Sequence, residues 1–332
     1  MILNLNMNIL ITGGAGYIGS HVCEELVKNK TNKIYILDNL STGHKRLINK
    51  KAYFIKGDIK NFPLIRKIII KYKIQTIIHL AASLNVSEAE NNKKKYYQNN
   101  IIGTKNLILS CKNSNIKNFI FSSSSSIYGN TKGGVDEAKK PNPKMFYAYS
   151  KYEGEELIKK YSKKFNYNYA ILRYFNVAGA SKSGQIGDIE TSHGHLIKNI
   201  AIESLKKKPE INIYGNNYPT KDGTCIRDYI HVSDLADIHI KSLNYLNLNK
   251  KSVILNCGYG KGYSVKQIVN IFKKIKKNLI INYKPKRPGD VAQMYSNTKK
   301  LKQTFKWKAK FNNINLIIKS AIKWEKKLST LK

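Results

Sequence analysis

Cysteine is scarce in this chain. Only Cys23, Cys111, Cys225 and Cys257 occur in 332 residues, widely and irregularly spaced, with no Cys-x-x-Cys pair. That pattern excludes a disulfide framework or a zinc knuckle and points to free thiols in a reducing cytoplasm. Long apolar runs are missing as well. The Ile-rich stretch from Leu64 to Leu80 is broken by Arg66, Lys67, Lys71 and Lys73, so no segment reads as membrane-spanning. Met1-Ile2-Leu3-Asn4-Leu5-Asn6 has no basic region and no small-residue cleavage site, which argues against a secretory leader, and Met7 is an alternative start. His193-Gly194-His195 is the only close histidine pair. It has no carboxylate or cysteine at ligand spacing, so no metal is expected.

Acidic residues are also few: 21 against 59 basic ones, a formal charge of +38. Such an excess raises the question of nucleic-acid binding. Arginine, however, is nearly absent. Only Arg46, Arg66, Arg173, Arg227 and Arg287 occur, whereas nucleic-acid readers rely on the arginine fork. The lysines are spread along the whole chain among many Asn and Ile. They read as a compositional bias that a solvated surface tolerates, and they argue against a nucleic-acid partner. Where arginine persists against that bias, its geometry is expected to matter.

What is present is a strong alternation. Asn8 to Thr12 is a short apolar strand that runs into Gly13-Gly14-Ala15-Gly16-Tyr17-Ile18-Gly19. A helical pattern follows to Lys28, and a second strand from Lys33 to Leu37 ends at Asp38-Asn39. Strand, glycine loop, helix, strand and acid form the order of a dinucleotide-binding unit. Gly13, Gly16 and Gly19 permit a tight turn and close backbone approach. The helix start offers N–H groups to a pyrophosphate. Asp38 can accept from a ribose hydroxyl and would repel a 2′-phosphate, which favours NAD over NADP.

Strands at Ala52–Lys56, Thr76–Leu80, Lys117–Ser122 and Tyr169–Tyr174 alternate with helices at Phe62–Tyr72, Asn92–Lys112 and around Tyr147. The fold class is therefore α/β, a Rossmann-type doubly wound parallel sheet. Functional residues should collect at the carboxyl ends of its strands, and the run Ser122 to Ser126 lies at one such end. Beyond Asn176 the rhythm changes, with a Gly/Ser-rich loop from Gly179 to Gly194, a polar loop from Asp222 to Asp228 and a helix capped by Ser233. Residues 1–176 are expected to bind NAD. Residues 177–332 read as a smaller, mixed α/β substrate domain, with segments that return to the first.

Tyr147 and Lys151 lie one helical turn apart on one face. An ammonium beside a phenol favours the phenolate, so the Tyr147 pKa is expected to fall and the tyrosine to act as a general base. Tyr149 faces away from Lys151.

These residues resemble the extended short-chain dehydrogenase/reductase family. The resemblance rests on Thr12 to Gly19, Asp38-Asn39-Leu40, Phe121-Ser122-Ser123-Ser124, Tyr147-x-x-x-Lys151, Arg173-Tyr174-Phe175-Asn176, Tyr214-Gly215, Arg227 to Val232 and Arg287-Pro288-Gly289-Asp290. It covers nearly the whole chain, from about Asn8 to Trp324.

The resemblance implies reversible epimerisation at C4 of a UDP-hexose. Tyr147 would take the 4-hydroxyl proton with help from Ser124, and Lys151 would bond the nicotinamide ribose. Hydride would pass to tightly bound NAD and return to the other face of a 4-keto sugar. It further implies Tyr17 and Ile18 at the pyrophosphate, Asp38 and Asn39 at the adenosine ribose, and Asp58 and Ile59 at the adenine. Leu80, Ala81, Asn99, Ser122, Tyr174 and Phe175 would line the rest of the cofactor. Asn176, Leu196, Tyr214, Arg227, Arg287 and Asp290 would hold the UDP-sugar, with Arg227 and Arg287 on the diphosphate. Arg173 could equally be structural.

Two positions depart from the family pattern: Leu84, where many members carry lysine, and Met294, at a place linked to admission of N-acetylated sugars. The family's dimer would pack Asn92–Lys112 and Tyr147–Lys164 into a four-helix bundle, which implies a homodimer. A 4,6-dehydratase would need acids where Ser125 and Ser126 stand. A UDP-glucuronate decarboxylase usually has glutamate at Ser126. A catalytically idle NAD sensor or a nucleic-acid binder is disfavoured by the intact Ser124, Tyr147 and Lys151.

Overall fold

The inner apolar strands of the first half are buried on both faces, as parallel strands covered by helices must be. In the first of them Ile9, Leu10 and Ile11 are all fully inaccessible. The computed structural model describes residues 6–131, 133–190 and 194–330, which leaves His193 and Met1 outside the described residues. In chain order the elements begin with β1 (Asn8–Thr12), α1 (Tyr17–Leu26), β2 (Lys33–Asp38), β3 (Tyr53–Lys56), α2 (Phe62–Lys71) and β4 (Thr76–His79). There follow α3 (Val86–Asn91), α4 (Lys93–Tyr96), α5 (Gly103–Leu109), β5 (Asn118–Ser124), β6 (Gly134–Val135), α6 (Phe146–Phe165), β7 (Asn168–Tyr174) and β8 (Asn176–Ala178). The remainder are α7 (Leu196–Glu203), β9 (Glu210–Tyr214), β10 (Ile226–His231), α8 (Val232–Asn249), β11 (Val253–Cys257), β12 (Gly262–Ser264), α9 (Val265–Ile275), β13 (Ile280–Lys284), β14 (Gln293–Ser296), α10 (Lys299–Phe305) and α11 (Ile314–Ser329).

The chain forms two compact units, both discontinuous: Met1–Ile127 with Pro143–Arg173 and Ala236–Leu255, and Tyr128–Asn142 with Tyr174–Leu235 and Asn256–Lys332. The first unit is built on a seven-stranded sheet in the order β11-β7-β5-β4-β1-β2-β3. The β1–β2, β2–β3, β1–β4 and β4–β5 pairs are all parallel. The chain thus winds outward from β1 to β3 and then returns to β4 on the other side of β1. This reversal opens a crevice at the carboxyl ends of β1 and β4, where ligands of such sheets bind. Below it, Leu10, Ile77, Phe119, Phe121, Ile158 and Ile171 belong to one buried apolar cluster.

The second unit has a five-stranded sheet, β12-β10-β14-β6 with β8 on β10, and a separate β13–β9 ribbon. Local chemistry sets the helix starts. The Asn61 side chain accepts from Leu64 N at 3.0 Å at the head of α2, and Ser264 with Gln267 forms a reciprocal capping box at α9.

Two expectations need correction. The helix read as continuous from Asn92 to Lys112 has a π-helical segment, Tyr97–Ile102, between α4 and α5. Hydrophobic periodicity cannot register such a change in hydrogen-bond step, and π-turns gather at functional sites. Ser233 is not the cap of α8, which already includes it. The Ser233 amide donates to His231 Nδ1 at 3.1 Å, so the cap comes from the preceding strand.

Phe119 is fully buried at the centre of the first sheet. Phe119→Ala should lower unfolding free energy by about 3–5 kcal/mol, read as a drop in urea midpoint at unchanged m-value.

Candidate active site

The crevice between β1 and β4 is shaped by glycine. Gly13 has φ +74°, and a Cβ there would lie 2.6 Å from Ala81 N. A Cβ on Gly19 would lie 2.2 Å from Gly13 O. Helix α1 therefore enters immediately beneath the loop, and its N-cap residue Gly16 offers no side-chain cap. The amides of its first turn, at Tyr17 and Ile18, face an anion site by default. Asp38 ends β2 with both oxygens engaged, accepting from Ala15 N at 3.0 Å and Leu40 N at 2.8 Å. These bonds fix the carboxylate at the loop and leave lone pairs for a vicinal diol. A Cβ on Gly43 would approach Asp38 Oδ1 to 2.8 Å, so the space around the carboxylate is kept open by glycine.

Next to Asp38, Asn39 Nδ2 donates to Asp58 Oδ2 at 3.0 Å, joining the ends of β2 and β3. Ile59 is buried under Gly103, where a Cβ would meet its side chain at 2.6 Å. Leu80 follows β4, its amide on Thr12 O at 3.0 Å. Asn99, in the π-turn, donates to Ser83 Oγ at 3.2 Å. The loop amides, the fixed carboxylate and the glycine clearances form a donor and acceptor set that fits NAD.

Ser122 and Ser124 end β5, and α6 lies across them. Lys151, 3% exposed, donates to Ser122 O at 2.7 Å and stands 5.1 Å above the Phe121 ring. Tyr147 hydrogen-bonds Ser124. Ser126 Oγ donates to Ser124 Oγ at 2.9 Å. The structure thus brings Ser122, Ser124, Tyr147 and Lys151 together.

The titration differs from the expectation. Burial pushes the Tyr147 phenol up to about 12, and the Ser124 hydrogen bond pulls only partly the other way. Burial also brings the Lys151 ammonium down to about 7. Desolvation of both groups outweighs the attraction expected of a phenol and an ammonium one helical turn apart.

Sequence reasoning missed Asn100. Its Nδ2 donates to Ser150 Oγ at 3.0 Å and to Ser83 O at 3.0 Å, and Ser150 Oγ donates to Tyr147 O at 2.7 Å. The π-turn is thereby tied to the first turn of α6. The available signal was a pair of asparagines, poor helix formers, inside an apolar helical run.

In the second unit four expected residues meet. Asp290 accepts from Arg287 Nε at 3.0 Å and pairs with Arg227 at 3.4 Å, and the Arg287 guanidinium lies 4.9 Å above the Tyr214 ring. Arg227 also donates to Val291 O at 2.7 Å. Asn176 opens β8 as the register partner of Tyr229 on β10, and burial raises the Tyr229 phenol to about 12 beside the Arg227 and Arg287 charges. Leu196 begins α7. Tyr174 closes β7, and Phe175 N donates to Cys257 O at 3.2 Å. Met294 is buried, paired in register with Arg227, with the Thr131 hydroxyl 3.9 Å from its sulfur. Leu84 is 40% exposed.

Residues 9–258 match the model of the NAD dependent epimerase/dehydratase family. A UDP-glucose 4-epimerase of Lactobacillus helveticus is 38% identical over 323 residues, 96% of this chain and 97% of that one. A solved UDP-glucose-4-epimerase from Stenotrophomonas maltophila, with bound NAD and formylated UDP-arabinopyranose, superposes with a TM-score of 0.92 at 30% identity, over 98% of this chain and 100% of that one. The UDP-Glc/GlcNAc 4-epimerase of Campylobacter jejuni gives a TM-score of 0.83 at 38% identity, over 97% of this chain and 99% of that one.

Behind the glycine loop, His79 bridges Thr12 Oγ1 at 2.7 Å and Thr104 Oγ1 at 2.9 Å. Burial, helped by the nearby Lys151 charge, lowers its pKa from 6.5 to about 3. The folded state holds it neutral, so its contribution is complete above pH 6.5 and is lost as pH falls towards 3. His21, lowered by burial to about 4, acts in the same sense. Stability should decline by up to about 1.4 kcal/mol per pH unit for each histidine below pH 6.5. Urea midpoints between pH 7 and 5 should show this, with a shallower decline for His79→Gln.

Proposed function

The chain belongs to the NAD dependent epimerase/dehydratase family, and from that premise we infer that it inverts C4 of UDP-hexoses, interconverting UDP-glucose and UDP-galactose. Bound NAD supplies a hydride acceptor and donor at the sugar C4 together with a positively charged ring. The rest is the work of this chain's own groups. Tyr147 takes the proton of the 4-hydroxyl and returns it after the sugar has turned, and Ser124 shares that proton through its hydrogen bond to Tyr147. Lys151, held at Ser122 O, is placed to bond the ribose next to the ring. At the pKa that burial gives it, Tyr147 is a phenol. Positive charge beside it is the condition for its acting as a base near neutral pH.

Arg227 and Arg287 hold the diphosphate. Asp290 aligns both guanidinium groups, and Tyr214 supports Arg287 from below. A lysine could not reproduce the fork. The observation that carries this reading is the placement of Ser124, Tyr147 and Lys151 at the end of β5, in the unit that also holds the dinucleotide crevice. Exposed Tyr97 and Tyr149, on the π-turn and α6, support a homodimer formed through those helices. The reducing, thiol-only composition supports a cytoplasmic location.

A second reading concerns sugar width. Met294 is an unbranched, adaptable side chain, and its position in register with Arg227 supports acceptance of N-acetylated UDP-sugars as well.

Incubation with UDP-galactose or UDP-GalNAc without added reductant, followed by NMR, should show conversion of both. Tyr147→Phe should reduce kcat by about 10²–10⁴-fold; near-wild-type turnover would remove Tyr147 from the role given it. Arg287→Lys should raise KM for UDP-galactose by roughly tenfold, with a smaller change in kcat. Met294→Tyr should depress UDP-GalNAc conversion selectively.

A further inference from the structure

We infer that Glu155, with Arg173 and Ser123, forms a positioning clamp for the reaction, fixing the end of β5 on the face of α6 that carries Tyr147 and Lys151. The inference rests on the roles given above to Ser124, Tyr147 and Lys151. Glu155 lies one turn beyond Lys151 and two beyond Tyr147, on the same stripe of α6, and is fully buried. Arg173 on β7 donates Nε to Glu155 Oε1 at 2.9 Å and Nη2 to Oε2 at 2.7 Å. Ser123 Oγ donates to Glu155 Oε1 at 2.5 Å. A single carboxylate therefore joins α6, β5 and β7.

The adjoining contact admits no slack. A Cβ on Gly154 would lie 2.7 Å from Phe121 Cζ, so helix and strand already touch as closely as backbone and ring allow. Phe121 and Ser123 alternate with Ser122 and Ser124 along β5, as strand periodicity requires. The residues that touch α6 through Gly154 and Glu155 thus interleave with the partners of Lys151 and Tyr147. The Lys151–Ser122 and Tyr147–Ser124 bonds connect the same two elements. A small slide of α6 on β5 would lengthen both.

Stability alone does not account for the arrangement. Buried ion pairs are often replaceable by apolar residues without loss, and the Arg173–Glu155 pair is bidentate before the serine is added. The Ser123 hydroxyl, 2% exposed, is spent on registering strand against helix.

Ser123→Ala tests this while leaving the ion pair in place. Its melting temperature should stay within a few degrees of wild type, and KM for UDP-galactose within about twofold. Turnover should fall about 10- to 100-fold, as expected for a reacting group displaced by a fraction of an ångström, and the basic limb of the kcat–pH profile should shift. Ser123→Thr, which keeps the hydroxyl, should restore both. Amide hydrogen exchange at Ser122–Ser124 should accelerate in Ser123→Ala, a readout independent of catalysis. Unchanged exchange, or a variant that loses only thermal stability while each folded molecule keeps the wild-type kcat and pH profile, would overturn the clamp. Absence of UDP-galactose turnover in the wild type would overturn the functional reading instead, with the exchange result still deciding the positioning claim.

Discussion

Desolvation of two titratable groups is the constraint on which the site depends. Tyr147 and Lys151 are both driven towards their neutral forms, one upward to about 12 and the other downward to about 7. At pH 7 the tyrosine of such a pair is a phenol and not a base. It becomes one only when a cation or a charge-assisted hydrogen bond stabilises the phenolate in the same dry space, where such an interaction is strongest. The burial that disables the pair in isolation therefore makes it responsive to what enters the crevice. That suits the reaction proposed, in which Tyr147 takes a proton only while the cofactor ring carries its positive charge. A solvent-exposed Tyr–Lys pair would carry a weaker, screened attraction and would discriminate less between the two states of the ring.

Keeping water out requires α6 close against β5, and much of the first unit serves that contact. Gly154 gives the room, Phe121 fills it, and the ring also receives Lys151. From the opposite side the π-turn sends Asn100 to Ser150, so the first turn of α6 is anchored through a polar residue while the middle is anchored through Glu155. Under the glycine loop, a histidine kept neutral by burial joins Thr12 to Thr104 and fixes the end of β1 relative to the helix behind it. These polar residues are inside because each has its partners, and leaving any one unsatisfied would cost about 1–3 kcal/mol.

The parts of this arrangement that were legible in the sequence are local ones. The glycine loop, α1 and Asp38 fall within a short stretch whose spacing is dictated by one turn and one crossover, so residue order alone specifies them. The alternation of buried strands and amphipathic helices gave the sheet class for the same reason. Long-range facts were not legible. Ser123, Glu155 and Arg173 lie on three elements, and nothing in the spacing of a serine run, a helix glutamate and a strand arginine says that they meet. The π-turn changes the hydrogen-bond step without changing which residues are apolar. The cap of α8 comes from His231, a residue type seldom sought at that position, while Ser233 looked suitable and is not used. The pKa directions required knowledge of burial, which composition cannot provide.

The charge bias shows the same division from the other side. On α9, Ile268, Val269 and Phe272 are buried, while Lys266, Lys273 and Lys274 stay in water. Lysine can accumulate on such faces because an extended stem covers apolar surface and the ammonium remains hydrated. Arginine follows another rule. Arg66 donates to both Ser110 O and Lys112 O beyond the end of α5, Arg173 grips both oxygens of Glu155, and Arg227 and Arg287 converge on Asp290. Each of these four engages a backbone or carboxylate site; Arg173 and Arg227 use two nitrogens of the fork, and Arg66 serves both carbonyls from Nη1. Arg46 stands exposed on a short 3₁₀ turn, and Arg287 is exposed beside Asp290. At Arg173 and Arg227 a planar fork satisfies two acceptors at once, which one hydrated lysine charge cannot do, so in this lysine-rich chain these two arginines mark rigid polar contacts.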